Sequence, residues 1–144
     1  MARLLIVTDS TELEAQLASV LESGGDTIYA ASSGRAVLEA VRDLEPQLVI
    51  LDAQIGSMGG IAVSTDLRLE AGAGRAPDTK ILLLLDRRAD VFTARRTGAD
   101  GYLVKPLNAL LLRKAVAEVL AGNLFLDNSY RPLDSGATVA TATP

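Results

Sequence analysis

The chain has 144 residues and a formal net charge of −4, and it contains no Cys, His or Trp. This length fits one domain, and the missing Cys and His exclude disulfides, thiolate zinc sites and imidazole chemistry. The negative net charge argues against nonspecific binding to nucleic acid phosphates. Any chemistry must therefore depend on carboxylates, lysines, hydroxyls or backbone groups.

Five strand–helix units follow one another along the chain. Strands are predicted at residues 4–7, 27–31, 48–51, 81–85 and 102–104, and helices at 11–22, 33–44, 61–70, 89–97 and 107–121. The first, third and fourth strands are continuous apolar runs, which are typical of parallel strands buried on both faces. The alternation predicts an α/β fold with helices on both faces of a parallel sheet.

The two ends of the chain carry separate predictions. The N-terminus enters the first strand at Arg3 without an apolar leader, and no apolar run approaches the ~20 residues that span a bilayer. We therefore expect a cytoplasmic protein without membrane insertion. After Gly122 the sequence is rich in Ser, Thr, Asn, Asp and Pro, so we predict a folded domain over residues 1–122 and a disordered tail or linker over 123–144.

Polar side chains cluster where the predicted strands end, and ligands of open α/β sheets bind beyond those ends. Thr8 and Asp9 follow the first strand, Asp52 ends the third, and Asp86 and Lys105 follow the fourth and fifth. Two carboxylates and a backbone carbonyl suit magnesium, and Lys105 could pair with a bound anion or with Asp52. Asp9 could equally be a helix N-cap and nothing more.

Two stretches resemble the receiver domain of two-component response regulators. The first is LVILD, which ends at Asp52, with MGG downstream at 58–60, and the second is GADGYLVKPL at 98–107. The resemblance covers residues 3 to 121. It implies a flavodoxin-like, doubly wound parallel sheet of five strands in the order 2-1-3-4-5 with five helices, of which the first and fifth share one face.

The resemblance also implies roles for individual residues. Asp52 is the position that accepts a phosphoryl group from a histidine kinase, and Lys105 is the position that pairs with this group. Magnesium would be held by Asp9, Asp52 and the backbone carbonyl of Gln54. The aromatic side chain at Tyr102 is expected to rotate inward on activation. No organic cofactor is expected, and the domain is not expected to be an enzyme.

Four features depart from the usual receiver pattern. Receivers carry an acid at Thr8, a Ser or Thr hydroxyl at the switch position Leu85 and a Pro at Gly56, and the segment after the fourth strand is about two residues longer. The first two changes remove a magnesium ligand and a phosphoryl contact, and phosphoryl transfer depends on such groups. We therefore predict that Asp52 is accessible but a poor phosphoryl acceptor, with weak magnesium binding.

The favoured function is an atypical receiver that signals through contacts with other proteins. The alternatives are a conventional switch phosphorylated at Asp52 by a histidine kinase, and the receiver part of a DNA-binding regulator that lacks its output domain. A flavodoxin fits less well because the loop after the first strand has no Gly, and an Asp phosphohydrolase because Gln54 stands where it needs a second acid. Direct nucleic acid binding is not expected. Arginines on helix 4 predict a homodimer or partner site on the helix 4–strand 5–helix 5 face.

Overall fold

Six parallel strands form one sheet in the computed structural model, which describes residues 2–56 and 59–128. The strands are β1 (Arg3–Val7), β2 (Thr27–Ala31), β3 (Leu48–Asp52), β4 (Lys80–Leu85), β5 (Gly101–Val104) and β6 (Phe125–Leu126). Their order is β2-β1-β3-β4-β5-β6. The predicted parallel α/β sheet is confirmed in its class and in the order of its first five strands.

Five α-helices connect the strands. They are α1 (Thr11–Glu22), α2 (Val37–Leu44), α3 (Gly60–Gly72), α4 (Val91–Arg96) and α5 (Ala109–Leu120). Short 3-10 turns precede α2 and α4, at Gly34–Ala36 and Arg88–Asp90, so both helices begin later than their apolar patterns predict. None of the helices in residues 2–56 and 59–128 is both long and apolar enough to cross a membrane.

The helices form two layers because side chains of a strand alternate between the faces of a sheet. Leu5 and Val7 of β1 pack with apolar residues of α2, α3 and α4. Leu4 and Ile6 of the same strand pack with α1 and α5. Continuous apolar strands therefore supply both layers at once, and the predicted pairing of the first and fifth helices on one face is confirmed.

The sixth strand is a correction to the predicted sheet of five. Phe125 and Leu126 pair in parallel with Gly101 and Tyr102 of β5, although the sequence analysis assigned them to the tail. Gly101 makes this pairing feasible, since a Cβ there would lie 2.8 Å from the Phe125 carbonyl oxygen. Beyond β6, the Asp127 carboxylate accepts the Val104 N–H at 2.8 Å. The remaining part of the predicted tail, 129–144, lies outside the described residues.

Candidate functional site

Asp52 ends β3, and its carboxylate is already bound by three donors. The Thr8 hydroxyl donates to Oδ2 at 2.7 Å, while the Gln54 N–H and the Lys105 ammonium donate to Oδ1 at 3.0 and 2.8 Å. These contacts and the surrounding strands leave Asp52 only 3% exposed. The expectation that Asp52 is accessible is therefore wrong, because Thr8 and Lys105 close over the carboxylate.

Lys105 stands between two acids. Besides Asp52, its ammonium contacts the Asp86 carboxylate at 2.6 Å. Asp86 directly follows β4, on the same rim of the sheet, and no role was predicted for it. Its position immediately after a buried strand next to β5 was the available signal. The ammonium that would pair with a phosphoryl group is thus engaged by two carboxylates of the chain itself.

The ionisation of this cluster follows from its burial and its hydrogen bonds. Burial pushes the pKa of Asp52 upward, but hydrogen bonds from Lys105, Thr8 and Gln54 outweigh it and hold the pKa below its ordinary value. Burial lowers the pKa of Lys105, but its contacts with Asp52 and Asp86 outweigh that effect and raise the pKa. Asp52 is therefore an anion and Lys105 a cation at neutral pH.

Asp9 contacts the loop that follows β3. Its Oδ2 accepts the Gly56 N–H at 2.9 Å, whereas the N-cap of α1 is Ser10, whose hydroxyl accepts from Leu13. The N-cap alternative for Asp9 is therefore wrong. Proline has no N–H, so a Pro at Gly56 could not make this bond. Two features of the sequence, Asp9 and the departure at Gly56, are thus joined by one contact.

The donor set fits a magnesium ion only poorly. Asp9 and Asp52 each use carboxylate oxygens in contacts within the chain, and Thr8 supplies a hydroxyl where a second acid would supply charge. Gln54 presents its N–H to Asp52; the role of its carbonyl stays a prediction. Within the part of the chain that the structure describes, no group of three or more His, Cys, Asp or Glu side chains could hold a metal ion.

The two switch positions lie in the core. Leu85 is fully buried at the end of β4 and offers no hydroxyl, and Tyr102 of β5 is 4% exposed. Both belong to the apolar layer under α2, α3 and α4. The rotation of Tyr102 that the receiver resemblance associates with activation stays a prediction.

The glycine that starts α3 sets the position of the loop after Asp52. A Cβ at Gly60 would contact the Asp52 carbonyl and lie 2.7 Å from the Ala53 Cα, so only glycine lets α3 approach β3 this closely. Met58, in the same motif, lies outside the described residues. The structure thus brings together Thr8, Asp52, Asp86 and Lys105, while Asp9 joins the cluster's edge and Tyr102 and Leu85 lie beneath it.

Comparisons with known proteins agree on the family. Residues 4–117 match the response regulator receiver domain. The chain is 31% identical over 122 residues to the protein PilH of Pseudomonas aeruginosa, covering 85% of the chain and all of PilH. It is 28% identical over 134 residues to the nitrate/nitrite response regulator NarL of Escherichia coli K12, covering 92% of the chain. That match spans 61% of NarL, so the chain corresponds to less than two thirds of that relative.

A solved structure supports the same fold. The chemotaxis response regulator CheY4 of Vibrio cholerae superposes with a TM-score of 0.73 at 26% identity, covering 83% of the chain and 98% of that structure.

Proposed function

The chain belongs to the response regulator receiver domain family of two-component signalling, and we propose that it signals through protein contacts with weak or absent phosphorylation of Asp52. Members of this family interact with histidine kinases and other signalling proteins. In this proposal the domain is not an enzyme, and its partners are other signalling proteins of the cytoplasm.

The contacts of the Asp52 carboxylate carry the proposal. In phosphoryl transfer, an Asp52 oxygen must attack phosphorus while the leaving group departs, and the new negative charge must be stabilised. Here Thr8 binds one oxygen, and Lys105 binds the other while also neutralising Asp86. Both oxygens are thus stabilised as they stand, and each hydrogen bond to a charged group contributes ~1.5–3 kcal/mol, which lowers the reactivity of whichever oxygen attacks.

The groups around the carboxylate add to this barrier. Leu85 has no hydroxyl to bind a phosphoryl oxygen, so one stabilising contact is missing in the product. Receiver domains generally bind Mg²⁺ at the acidic pocket, where the ion neutralises phosphoryl charge. In this chain Asp9 and Asp52 would have to hold it without a second acid at Thr8, and one oxygen of Asp9 already accepts from Gly56. We therefore expect weak magnesium binding.

Tyr102 is buried in the apolar layer, where its register partner on β4 is Leu83. In this proposal the outer surface formed by α4, β5 and β6 contacts partners without a phosphoryl group on Asp52.

The test is phosphorylation by acetyl phosphate and magnesium, followed by intact-protein mass measurement. An Asp52 oxygen would attack phosphorus and acetate would leave. We expect little phosphoprotein from the wild type. The variant Thr8→Asp with Leu85→Thr restores an acid and a hydroxyl and should gain phosphoprotein. Adding Asp52→Asn to that variant should abolish the gain.

Rapid, stoichiometric labelling of the wild type, lost in Asp52→Asn, would contradict the proposal and establish the conventional switch. Beryllofluoride, which mimics a phosphoryl group, gives an independent measurement: its binding with magnesium should be weak in the wild type and stronger in the double variant.

Two further alternatives concern assembly. NarL and MtrA, the latter described as a DNA-binding response regulator, are longer than the matched region, so the function of a receiver linked to an output domain remains a proposal for this chain. A homodimer through the α4–β5–α5 face also stays a prediction. In this structure β6 covers the outer edge of β5 on that face.

A further inference from the structure

The two edges of the sheet differ in how far they extend. One edge is β6, which has only two residues, and the other is β2, which has five. A long exposed edge strand is a template for pairing with another chain, and proteins usually prevent this with charged side chains or prolines on the strand. β2 has the sequence TIYAA, which contains neither. Its outer side is therefore open to pairing.

The backbone groups on the outer side of β2 follow from its pairing with β1. The Thr27 N–H and the Ala31 carbonyl form hydrogen bonds with the residues immediately before and after β1. Because alternate residues of a parallel strand bond to one neighbour, Ile28 and Ala30 direct their N–H and C=O groups away from β1. In the part of the chain that the structure describes, no further strand lies on that side.

A groove lies beside this edge, between β2 and α2, and has a volume of about 460 Å³. One side of α2 forms its wall, with residues spaced three and four apart as on a single helix face. Small side chains predominate, which keeps the groove open. Among the residues that line it are Ala31, Ala36, Ala40 and Leu44, together with the exposed acids Glu39 and Asp43.

The groove carries negative charge that the chain itself does not neutralise. Residues 26–45, which include β2 and α2, have four acidic and two basic side chains. Among the described residues Glu39 and Asp43 form no ion pair, and Arg42, the only base of α2, is paired with Glu70 of α3. Residues four apart on a helix are separated by about 6 Å along its axis. Alternate side chains of a strand are separated by about 6.8 Å, so a strand beside β2 would match the two acids.

We propose that the β2 edge binds an extended segment of another protein as an added strand, and that this segment has basic side chains at alternate positions. Its backbone would bond to the outward groups of Ile28 and Ala30. The basic side chains on the α2 side would pair with Glu39 and Asp43, and their aliphatic stems would lie against the alanines of the groove. The inference goes beyond the proposed function, because this edge is opposite the surface formed by α4, β5 and β6.

Charge complementarity selects this occupant over two others. Two copies that joined their β2 edges antiparallel would be related by a two-fold axis perpendicular to the joined sheet. Both α2 helices would then lie on the same face, with the acids of both copies facing one junction, and like charges across an interface oppose binding. The chain's own residues 129–144 contain a single base, Arg131, which cannot pair with both Glu39 and Asp43.

The experiment uses the full chain and a fluorescent peptide of about eight residues, a common strand length, with Lys at alternate positions and Thr or Val between them. One control peptide has Glu in place of Lys. Two analogues carry N-methyl groups on one or the other alternate set of amides, which removes the donors from one edge of the peptide. Binding is followed by fluorescence anisotropy at low salt. We expect the Lys peptide to bind, the Glu peptide not to bind, and only one N-methyl analogue to lose binding, because only one edge of the peptide faces β2.

Protein variants locate the site. Glu39→Lys with Asp43→Lys is expected to weaken binding about tenfold or more. Glu12→Lys with Glu22→Lys makes the same change of charge on α1, which packs on the other face of the sheet, and should weaken binding by less. Ala30→Pro removes an outward N–H, a change that an edge strand tolerates, and should abolish binding. Ala30→Val keeps the N–H and suits a strand, so binding should be retained, and circular dichroism shows whether each variant is folded.

Several results would overturn the proposal. Equal binding of the Glu peptide, or an equal loss in the α1 charge variant, would show that Glu39 and Asp43 do not select the partner. Full binding of both N-methyl analogues, or full binding by Ala30→Pro, would show that no strand is added; the analogues give this result even if Ala30→Pro does not fold. A dimer in sedimentation that is lost in Ala30→Pro would assign the edge to a second copy.

Discussion

The Asp52 pocket differs from the α4–β6 surface, which comprises Phe92, Arg95, Arg96, Leu124 and Leu126. In the pocket, Thr8, Lys105 and Asp86 engage one another and Asp52. On the surface, Arg95 and Arg96 have no acidic partner among the described residues, and Phe92 and Leu124 are exposed. The polar side chains of the pocket bind one another, whereas the arginines and apolar side chains of the surface are exposed to possible partners. The contrast favours contact over phosphorylation as the working part of this receiver.

The largest effect is expected from a substitution that displaces β6 from the sheet. In Gly101→Ala, the added Cβ would lie 2.8 Å from the Phe125 carbonyl oxygen. Overpacking of this kind costs ~1–3 kcal/mol, so we expect the free energy of unfolding to fall by about that amount. The added methyl group should also displace β6 from the edge of β5.

Denaturant unfolding measures the first effect, and amide hydrogen exchange at Val104 measures the second directly. The Val104 N–H is bound by Asp127, so its exchange should accelerate if β6 leaves β5. Gly72→Ala is the control, since nothing lies within 4 Å of a Cβ there, and Ala favours a helix by up to ~1 kcal/mol over Gly. Unchanged Val104 exchange in Gly101→Ala would show that β6 tolerates the methyl group.

The stabilising role of the Asp52 pocket is tested by Thr8→Val, which keeps the shape of the side chain and removes its hydroxyl. At pH 7 we expect a loss of ~1–2 kcal/mol in the free energy of unfolding, because the Asp52 anion loses a donor at 2.7 Å. Thr65→Val, which removes a hydroxyl bonded within α3, should change stability by less than ~0.5 kcal/mol.

The pH dependence of this loss has a definite sign. The folded pKa of Asp52 lies below its ordinary value, so its contribution to stability is present above pH ~3.9 and is lost as the pH falls through the folded pKa. Removing the Thr8 donor raises that pKa. The difference between wild type and variant should therefore be largest at neutral pH and shrink below pH ~4. A difference independent of pH would mean that Thr8 does not stabilise the charged form.

The sequence predicted the central strands of the sheet better than the edge strand β6. Continuous apolar runs in β1, β3 and β4 identify buried parallel strands wherever they pair. β6 was missed because two apolar residues in a polar segment carry no periodic signal, and its pairing depends on the space above Gly101. The contact of Asp127 with Val104 is also tertiary. Local sequence could not predict either one.

The sequence predicted which residues lie near Asp52, but not which hydrogen bonds its carboxylate makes. The ends of the parallel strands bring Thr8, Asp52 and Lys105 to one rim, as their positions in the sequence indicate. Whether the carboxylate is open or closed depends on side-chain directions, which put the Thr8 hydroxyl on Oδ2 and Lys105 against Asp86. The link between Asp9 and the Gly56 N–H likewise appears only in three dimensions.

The smallest effect on the free energy of unfolding is expected from substitutions of the α4 arginines. In Arg96→Ala, the contact with the Phe92 ring is lost, and an exposed cation–π pair contributes only ~0.5–1 kcal/mol. Ala and Arg have similar helix propensities, so the helix itself should be unaffected. We therefore expect the free energy of unfolding to change by no more than about 1 kcal/mol, and Arg95→Ala, which has no ring contact, to change it by less. Thermal unfolding of both variants gives the measurement. If either substitution costs as much as Thr8→Val, the α4 arginines hold the fold together as the pocket does, and their positive charge is no longer free for a partner.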